Sequence, residues 1–133
     1  TLDADKQHNP EFIPEFISQL NRFDLVIGNR LNNTKEMPIQ RILSNKLTSS
    51  LLSVKTGQKI LDSQCGYRAY NTEVLTRLRS FALGYEAESE MIIYAARAGF
   101  KIGFIHISTI YGNEISKMHP VNAILGFIKI LFK

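Results

Sequence analysis

The segment Thr1-Leu2-Asp3-Ala4-Asp5-Lys6-Gln7-His8 places two acidic residues one residue apart, directly after an apolar residue. If a strand ends at Leu2 and the chain then turns, both carboxylates can face one hard cation such as Mg²⁺ or Mn²⁺. Gln7 offers a further, neutral oxygen ligand. A cation bound there could neutralise the phosphates of a nucleotide-type substrate and a departing diphosphate. The competing interpretation of an isolated Asp-x-Asp is a polar loop after a buried strand.

The residues after this segment predict a helix and then a strand. Asn9-Pro10 is a helix start signal, and apolar residues recur at helical spacing as far as Leu20, which predicts a helix over 10–21. Residues 24–28 form a short, mostly apolar run, which predicts a buried strand that ends at Gly28. A strand, a helix and a strand at this spacing form a βαβ unit, so we expect parallel pairing and a layered α/β fold.

The later part of the chain continues the α/β pattern. The spacing predicts a long helix over 38–56, a strand in the last part of 60–70, a short helix over 72–78, a helix within 84–99 and a strand over 101–110 at or near a sheet edge. The buried side of the helix within 84–99 is expected to consist of Met91, Ile92, Tyr94, Ala95 and Ala98.

Two helices carry prominent apolar faces. A wide aliphatic stripe runs along the helix over 38–56, and it either belongs to the core or lies against a membrane. Residues 121–133 predict an amphipathic helix that either packs on its own domain or lies at a membrane interface. No run of about 18 apolar residues exists in the sequence, so no membrane span is predicted.

Composition limits the classes of protein that the chain can represent. Its 133 residues, 44% of them hydrophobic, suit one globular domain. A net charge of +4 favours an anionic partner, but the basic residues form no concentrated stripe, so nucleic acid is not expected. Cys65 is the only cysteine, which excludes an intrachain disulfide and favours the cytoplasm. Because the chain starts with Thr1 at the acidic motif, we expect an N-terminal part to be missing.

Two other interpretations of the acidic pair are weaker. An EF-hand loop that starts at Asp3 would need Gly at its sixth position and Glu at its twelfth, where the sequence has His8 and Pro14. A phosphatase of the haloacid-dehalogenase type also has Asp-x-Asp after a strand. The residues that usually follow there are small or hydroxylic, whereas this chain has Lys6 and Gln7. The phosphatase remains a minor alternative.

The acidic segment, extended to Pro10, resembles the Asp-x-Asp-x-Gln-His-x-Pro motif of family 2 glycosyltransferases. The similarity is greatest to the branch that resembles dolichol- or polyprenol-phosphate mannosyltransferases. Four further landmarks of that family follow in its order across the chain. They are Gly28-Asn29-Arg30, the Asp-x-x-x-Gly-Tyr-Arg-Ala pattern at 62–69, an acidic cluster at 86–90 and the Gly-x-x-x-Ser-Lys loop at 112–117.

This resemblance implies the C-terminal, metal- and acceptor-side part of a GT-A fold, a Rossmann-like layered α/β fold with a mixed sheet. Residues 1–120 would form a partial glycosyltransferase domain, and 121–133 an interfacial helix. The implied activity is metal-assisted, inverting transfer of a sugar from a nucleotide-sugar donor to a polyprenyl or dolichyl phosphate, or to another glycan acceptor. The implied location is cytoplasmic, peripheral at the inner face of the membrane. The alternative is a non-catalytic fragment or binding module of the same ancestry.

The resemblance also assigns roles to individual residues. Asp3, Asp5 and Gln7 would hold Mg²⁺ or Mn²⁺, although Lys6 stands where the family usually has Gly. Asp62 would be the general base if the acceptor is a sugar hydroxyl, whereas a lipid phosphate needs no strong base. Arginine matches phosphate oxygens with its fork of donors, so Arg68 is expected at the reaction centre. The other candidate phosphate or diphosphate contacts are Arg30, Arg41, Ser44 and Lys117.

Overall fold

A computed structural model describes residues 1–3, 7–77, 87–108 and 128. Its elements confirm the predicted α/β pattern, with ends that differ by a few residues from the predicted ones. A 3-10 turn at Pro10–Phe12 leads into helix α1. The elements are α1 (Ile13–Gln19), β1 (Leu25–Asn29), α2 (Ile39–Thr56), β2 (Arg68–Tyr70), α3 (Thr72–Arg77), α4 (Ala87–Arg97) and β3 (Ile102–His106). The helix predicted over 121–133 and the loop at 112–117 lie outside the described residues, apart from the exposed Ile128.

The three strands form one mixed sheet in the order β2-β1-β3. β1 pairs with β3 in parallel, from Leu25 opposite Ile102 to Asn29 opposite His106. β1 pairs with β2 antiparallel, with Leu25 opposite Tyr70. The mixed sheet and the edge position of β3 within the described sheet therefore agree with the sequence-based prediction.

The parallel pairing predicted between the N-terminal segment and β1 was wrong, because β1 lies between β2 and β3. Thr1 instead exchanges hydrogen bonds with Arg68: its amino group donates to the Arg68 carbonyl at 2.7 Å and its carbonyl accepts from the Arg68 N–H at 3.0 Å. This double exchange is the antiparallel pattern. The N-terminal residues therefore run parallel to β1, with β2 between them. The prediction was wrong because a local pattern predicts a strand without specifying which strand lies beside it.

The core is centred on β1, whose Leu25, Val26 and Ile27 are completely buried. Such a continuous apolar run fits a strand that is covered on both faces. α1 contacts all three strands, while α2 packs against α4. Leu52 of α2 and Ile92 of α4 are fully buried in the same hydrophobic cluster.

The buried face predicted for α4 was wrong in part. Ile92 and Ala95 are buried as expected, but Tyr94 is 44% exposed and Ala98 is also exposed. The remaining buried positions of α4 are Ser89, Glu90 and Ile93. The helix is therefore rotated relative to the prediction, which took only apolar residues as its buried side, whereas Ser89 and Glu90 are buried as well.

In helix α2 the polar side is buried and the apolar side is exposed, which is the reverse of an ordinary surface helix. Its buried residues are Asn45, Ser49 and Leu52. Most of its aliphatic residues are exposed on the opposite side, since successive residues of an α-helix are 100° apart about its axis. We call this set the outer aliphatic stripe; it consists of Ile39, Leu43, Leu47, Leu51 and Val54, which are between 39% and 86% exposed. Of the two interpretations of the stripe, packing in the core does not apply to these five residues.

None of the helices among the described residues is both long enough and apolar enough to cross a membrane.

The two sides of α2 can be compared by truncating one leucine on each. We expect Leu52→Ala to lower the free energy of unfolding by about 2–5 kcal/mol, because it deletes fully buried methyl groups and leaves a cavity. Leu47→Ala is the matched control, since the same truncation occurs at a side chain that is 63% exposed. Urea denaturation measures both values. Equal losses in the two variants would contradict the inverted orientation of α2.

Candidate functional site

The centre of the candidate site is an ion pair between Asp62 and Arg30. The carboxylate of Asp62 is completely buried, and the side chain of Arg30 is 12% exposed. Arg30 Nε donates to Oδ2 at 2.8 Å and Nη2 donates to Oδ1 at 2.9 Å, so the contact is bidentate. The backbone N–H of Arg30 also donates to Oδ2, at 3.1 Å. This arrangement fixes both the position and the plane of the guanidinium group.

Two further donors complete the surroundings of Asp62. Asn45 Nδ2 donates to Oδ1 at 2.6 Å, and the backbone N–H of Gln64 donates to the same oxygen at 3.2 Å. Burial by itself would raise the pKa of Asp62, but the hydrogen bonds and charge of Arg30, together with the Asn45 bond, hold the pKa below its ordinary value. A buried carboxylate with a lowered pKa is poorly suited to take a proton from a sugar hydroxyl.

Arg68 contacts the backbone carbonyls of the same loop. It is 3% exposed, and three of its N–H groups donate to backbone carbonyls. Nε donates to Cys65 at 2.8 Å, Nη2 to Ser63 at 3.0 Å and Nη1 to Glu88 at 3.0 Å. Arg68 therefore ties the loop after Asp62 to the start of α4.

Cys65 has a packing role in this loop, because it belongs to the buried hydrophobic cluster. Its side chain is completely buried, and burial raises the pKa of the thiol to about 12. The thiol is therefore protonated at neutral pH and not reactive.

A cavity of about 290 Å³ lies beside Arg68, between the N-terminal residues, β2 and α4. Its polar lining consists of Thr1, Asp3, Arg68, Tyr70 and Glu88, and its apolar lining includes Leu2 and Met91. Glu88 Oε2 is 3.7 Å from Arg68 Nη2. Partial burial raises the pKa of Glu88, the charge of Arg68 lowers it, and the nearby Asp3 raises it again. Asp3, Arg68 and Glu88 thus form one charged group around the cavity.

Asp3 is held close to the loop by the absence of a side chain at Gly66. A Cβ atom at position 66 would lie 2.8 Å from Asp3 Oδ2 and 3.1 Å from Oδ1, so Gly66 provides the space that this carboxylate occupies. The Asp3 N–H also donates to Nδ1 of the buried His8 at 3.4 Å, and the His8 ring packs on Tyr67. His8 therefore supports the turn that precedes Asn9-Pro10.

The predicted metal ligands are only partly described. Asp3 is exposed, Gln7 is half-buried, and Asp5 lies outside the described residues. Residues 1–3, 7–77 and 87–108 contain no cluster of three or more His, Cys, Asp or Glu side chains suited to a metal. The residues still fit a hard cation in chemical type, because carboxylate and amide oxygens are its preferred ligands and Gly66 leaves Asp3 room at the edge of the cavity.

The predicted phosphate contacts gather partly at the start of α2. Arg41 is half-buried in the first turn, Ser44 is exposed one turn later, and Lys117 lies outside the described residues. Gln64 Nε2 is 3.4 Å from Ser44 Oγ, which places Ser44 beside the loop that holds Arg30. Pro38 precedes the first turn of α2, and its side chain offers no acceptor for the N–H groups of that turn. The helix dipole and the charge of Arg41 make the start of α2 a positive region.

The sequence-based prediction missed three residues of this region. Asn45 and Ser49 were not singled out because small polar residues are common on the solvent side of helices. A helical wheel places both opposite the outer aliphatic stripe, which is the arrangement of an ordinary solvent-facing side, so no local pattern identifies them. Glu88 belongs to the acidic cluster at 86–90, to which the sequence assigned no individual role, and it lines the cavity.

Comparison with known proteins supports a relationship to glycosyltransferases. No family model matches the chain. Over its whole length it is 34% identical to an uncharacterized protein of Methanocaldococcus jannaschii, and also 34% identical to the UDP-N-acetylglucosamine–dolichyl-phosphate N-acetylglucosaminyltransferase of Methanococcus voltae. Over 94% of its length it is 29% identical to the undecaprenyl-phosphate mannosyltransferase of Micrococcus luteus. The chain spans 57%, 55% and 54% of these three proteins, respectively.

The Asp62–Arg30 pair predicts a pH-dependent stability. Asp62→Asn leaves Arg30 without its charged partner, so we expect a loss of about 3–5 kcal/mol in the free energy of unfolding at pH 7. The pKa of Asp62 is lower in the fold than its ordinary value of 3.8. The stabilisation is therefore complete above 3.8 and is lost as the pH falls through the lower, folded value. Urea denaturation of both proteins from pH 7 downwards should show the difference shrinking under acid conditions.

The matched control for this titration is Glu73→Gln, because Glu73 forms an ion pair with Arg77 in which both side chains are mostly exposed. Its effect should be small throughout the range. An Asp62→Asn difference that stays constant down to the lowest pH would contradict the lowered pKa.

Proposed function

We propose that the chain is part of an enzyme that transfers a sugar from a nucleotide-sugar donor to a polyprenyl or dolichyl phosphate. The observation that carries this proposal is the bidentate Asp62–Arg30 pair beside the positive start of α2. It holds the Arg30 guanidinium in one fixed place with its Nε–Nη2 edge bonded to Asp62, so a phosphate would approach the charge from the Nη1 side. Two relatives in the comparison, from Methanococcus voltae and Micrococcus luteus, have dolichyl phosphate and undecaprenyl phosphate in their names.

The properties of Asp62 favour a phosphate acceptor over a sugar hydroxyl. A phosphate oxygen is already anionic, so it can attack the anomeric carbon without giving up a proton. The new carbon–oxygen bond forms on one face of the sugar as the bond to the nucleoside diphosphate breaks on the other, and the configuration inverts. Asp62, buried and with a lowered pKa, is then a partner for Arg30 and not a base.

The basic residues divide between the two phosphate groups of this reaction. Arg41 and Ser44 lie in the first two turns of α2, and Arg30 is connected to this helix through Asp62 and Asn45. We assign all three to the acceptor phosphate together with Lys117. Arg68 lines the cavity beside Asp3, and we assign it to the negative charge that develops on the leaving diphosphate.

A divalent cation would complete the donor side. Asp3, Asp5 and Gln7 would hold Mg²⁺ or Mn²⁺, and the space that Gly66 leaves for the Asp3 carboxylate supports this assignment. When bound, such an ion supplies charge that stabilises the leaving diphosphate. Asp3 also lines the cavity together with Arg68 and Glu88, and its charge acts on Glu88.

A transfer assay tests the proposed activity. The product of the complete gene would be incubated with Mn²⁺, a panel of radiolabelled nucleotide sugars and a short polyprenyl phosphate, and labelled lipid would be extracted. We expect Asp3→Asn to lower kcat/KM by roughly a hundredfold or more, because metal charge stabilises the leaving group by several kcal/mol. Glu15→Gln is the control, since it neutralises an exposed carboxylate of α1.

Two results would contradict the proposal. Labelled lipid that forms equally well after chelation with EDTA and in Asp3→Asn would exclude the metal assignment. A protein that binds nucleotide sugars but transfers to no lipid phosphate would favour a non-catalytic binding module of glycosyltransferase ancestry.

We also propose that α2 places the protein at a membrane surface, peripherally and at its cytoplasmic face. The outer aliphatic stripe is exposed along the whole helix, and Lys46 and Ser50 are exposed beside it. The net charge of +4 complements anionic lipid headgroups. A lipid-linked acceptor resides in a bilayer, so a stripe that enters the interface would bring the site to its substrate.

Vesicle binding tests this surface. We expect the double substitution Leu43→Glu/Leu47→Glu to reduce co-sedimentation with vesicles of phosphatidylglycerol and phosphatidylcholine by at least about tenfold, because it places two charges at the apolar boundary. Leu75→Glu is the matched control: Leu75 is 49% exposed on α3, away from the stripe. Equal loss in both variants would contradict the assignment. A wild-type protein that forms dimers dissociated by the double substitution, without binding vesicles, would assign the stripe to a second copy instead.

A further inference from the structure

The buried face of α2 carries two polar side chains where a core helix normally has apolar ones. Asn45 is completely buried and Ser49 is 3% exposed. Burying an amide and a hydroxyl is unfavourable unless both find hydrogen-bond partners. Their contacts therefore show which part of the structure requires them.

Both side chains contact the loop that follows Ile60. Asn45 Nδ2 donates to Asp62 Oδ1 at 2.6 Å, and Asn45 Oδ1 is 3.0 Å from Ser49 Oγ. Ser49 Oγ accepts from the backbone N–H of Ser63 at 2.9 Å and is 3.1 Å from Ser63 Oγ. A connected polar network thus joins two successive turns of α2 to two successive residues of the loop.

Each of these loop residues holds one of the two arginines. Asp62 receives the guanidinium fork of Arg30, and the Ser63 carbonyl accepts from Arg68 Nη2 at 3.0 Å. Asn45 leads through Asp62 to Arg30, and Ser49 leads through Ser63 to Arg68; the two connections are joined to each other by the Ser49–Asn45 hydrogen bond. Leu52, which shares the buried face, contributes only apolar packing and gives a control on the same helix.

We propose that Asn45 and Ser49 are positioning residues of the glycosyl-transfer site, with Asn45 orienting Arg30 through Asp62 and Ser49 orienting Arg68 through Ser63. This inference rests on the proposed function, in which the two guanidinium groups bind the acceptor phosphate and the leaving diphosphate. Neither positioning residue touches a substrate. Their effect is to restrict each guanidinium to one orientation before the substrates bind.

Kinetics provides the first test. We expect Asn45→Ala to raise the KM for the polyprenyl phosphate by roughly tenfold to a hundredfold with a smaller change in kcat, because a displaced Arg30 binds the acceptor poorly. The double variant Arg30→Lys/Asn45→Ala should then be little worse than Arg30→Lys alone, since both changes disrupt one contact. Leu52→Ala should lower stability at least as much and leave this KM unchanged.

Side-chain NMR provides a second test that does not depend on activity. The Nε–H signals of Arg30 and Arg68 would be assigned by substituting each with Lys. We expect Asn45→Ala to shift the Arg30 signal and speed its exchange with water, and Ser49→Ala to shift mainly the Arg68 signal. Ser49→Ala removes a single hydroxyl and leaves Asp62 its bonds from Arg30, so it keeps the test decisive if Asn45→Ala does not fold.

The outcomes separate this inference from the proposed function. The positioning roles are supported if the Arg30 signal responds to Asn45→Ala, the Arg68 signal responds mainly to Ser49→Ala, and the effects of Arg30→Lys and Asn45→Ala on KM are not additive. If the arginine signals and the KM respond to Asn45→Ala no more than to Leu52→Ala, the positioning roles are overturned. Asn45 and Ser49 then have a purely structural role. A wild-type protein that transfers no sugar would overturn the proposed function, while the NMR signals would still decide whether Asn45 and Ser49 orient the two arginines.

Discussion

The buried ion pair of Asp62 and Arg30 imposes a requirement that reaches through most of the described structure. Moving a carboxylate and a guanidinium out of water is costly, and their attraction offsets the cost only when the remaining hydrogen-bonding capacity is also used. Arg30 fills part of the capacity of Asp62, and the rest falls to Asn45 and the Gln64 N–H. A buried amide is therefore needed on α2, and the orientation of this helix follows from that need.

The inverted character of α2 is a consequence of this requirement. With Asn45 and Ser49 turned inwards, the aliphatic residues on the opposite side of the helix must face outwards. The same loop then brings in the second arginine, because the carbonyls of Ser63 and Cys65 accept from Arg68. Gly66 follows directly and leaves space for Asp3. A sequence of five residues from Asp62 to Gly66 thus connects both arginines, α2 and the acidic N-terminal segment.

The sequence predicted the type and order of the elements well, because apolar periodicity within one helix or strand is a local property. It did not predict how elements are rotated or paired. The buried face of α4 was misjudged because Ser89 and Glu90 are buried, and burial of polar groups depends on partners from distant parts of the chain. Motif spacing brought Arg30 and Asp62 into the candidate site, but only the fold shows that they bind each other across 32 positions. The contribution of Asn45 was invisible for the same reason.

The two sides of α2 link the membrane surface to the proposed chemistry. A helix of 18 residues is about 27 Å long, so its outer stripe extends well beyond its first turn. A polyprenyl phosphate bound at the start of α2 would have its charged group near Arg30 and its apolar chain beside the stripe. Both ends of such an acceptor would then be met by one rigid helix, whose inner side holds the loop that carries the arginines. The polar inner face and the apolar outer face are therefore complementary requirements of an acceptor that is itself charged at one end and apolar along the rest.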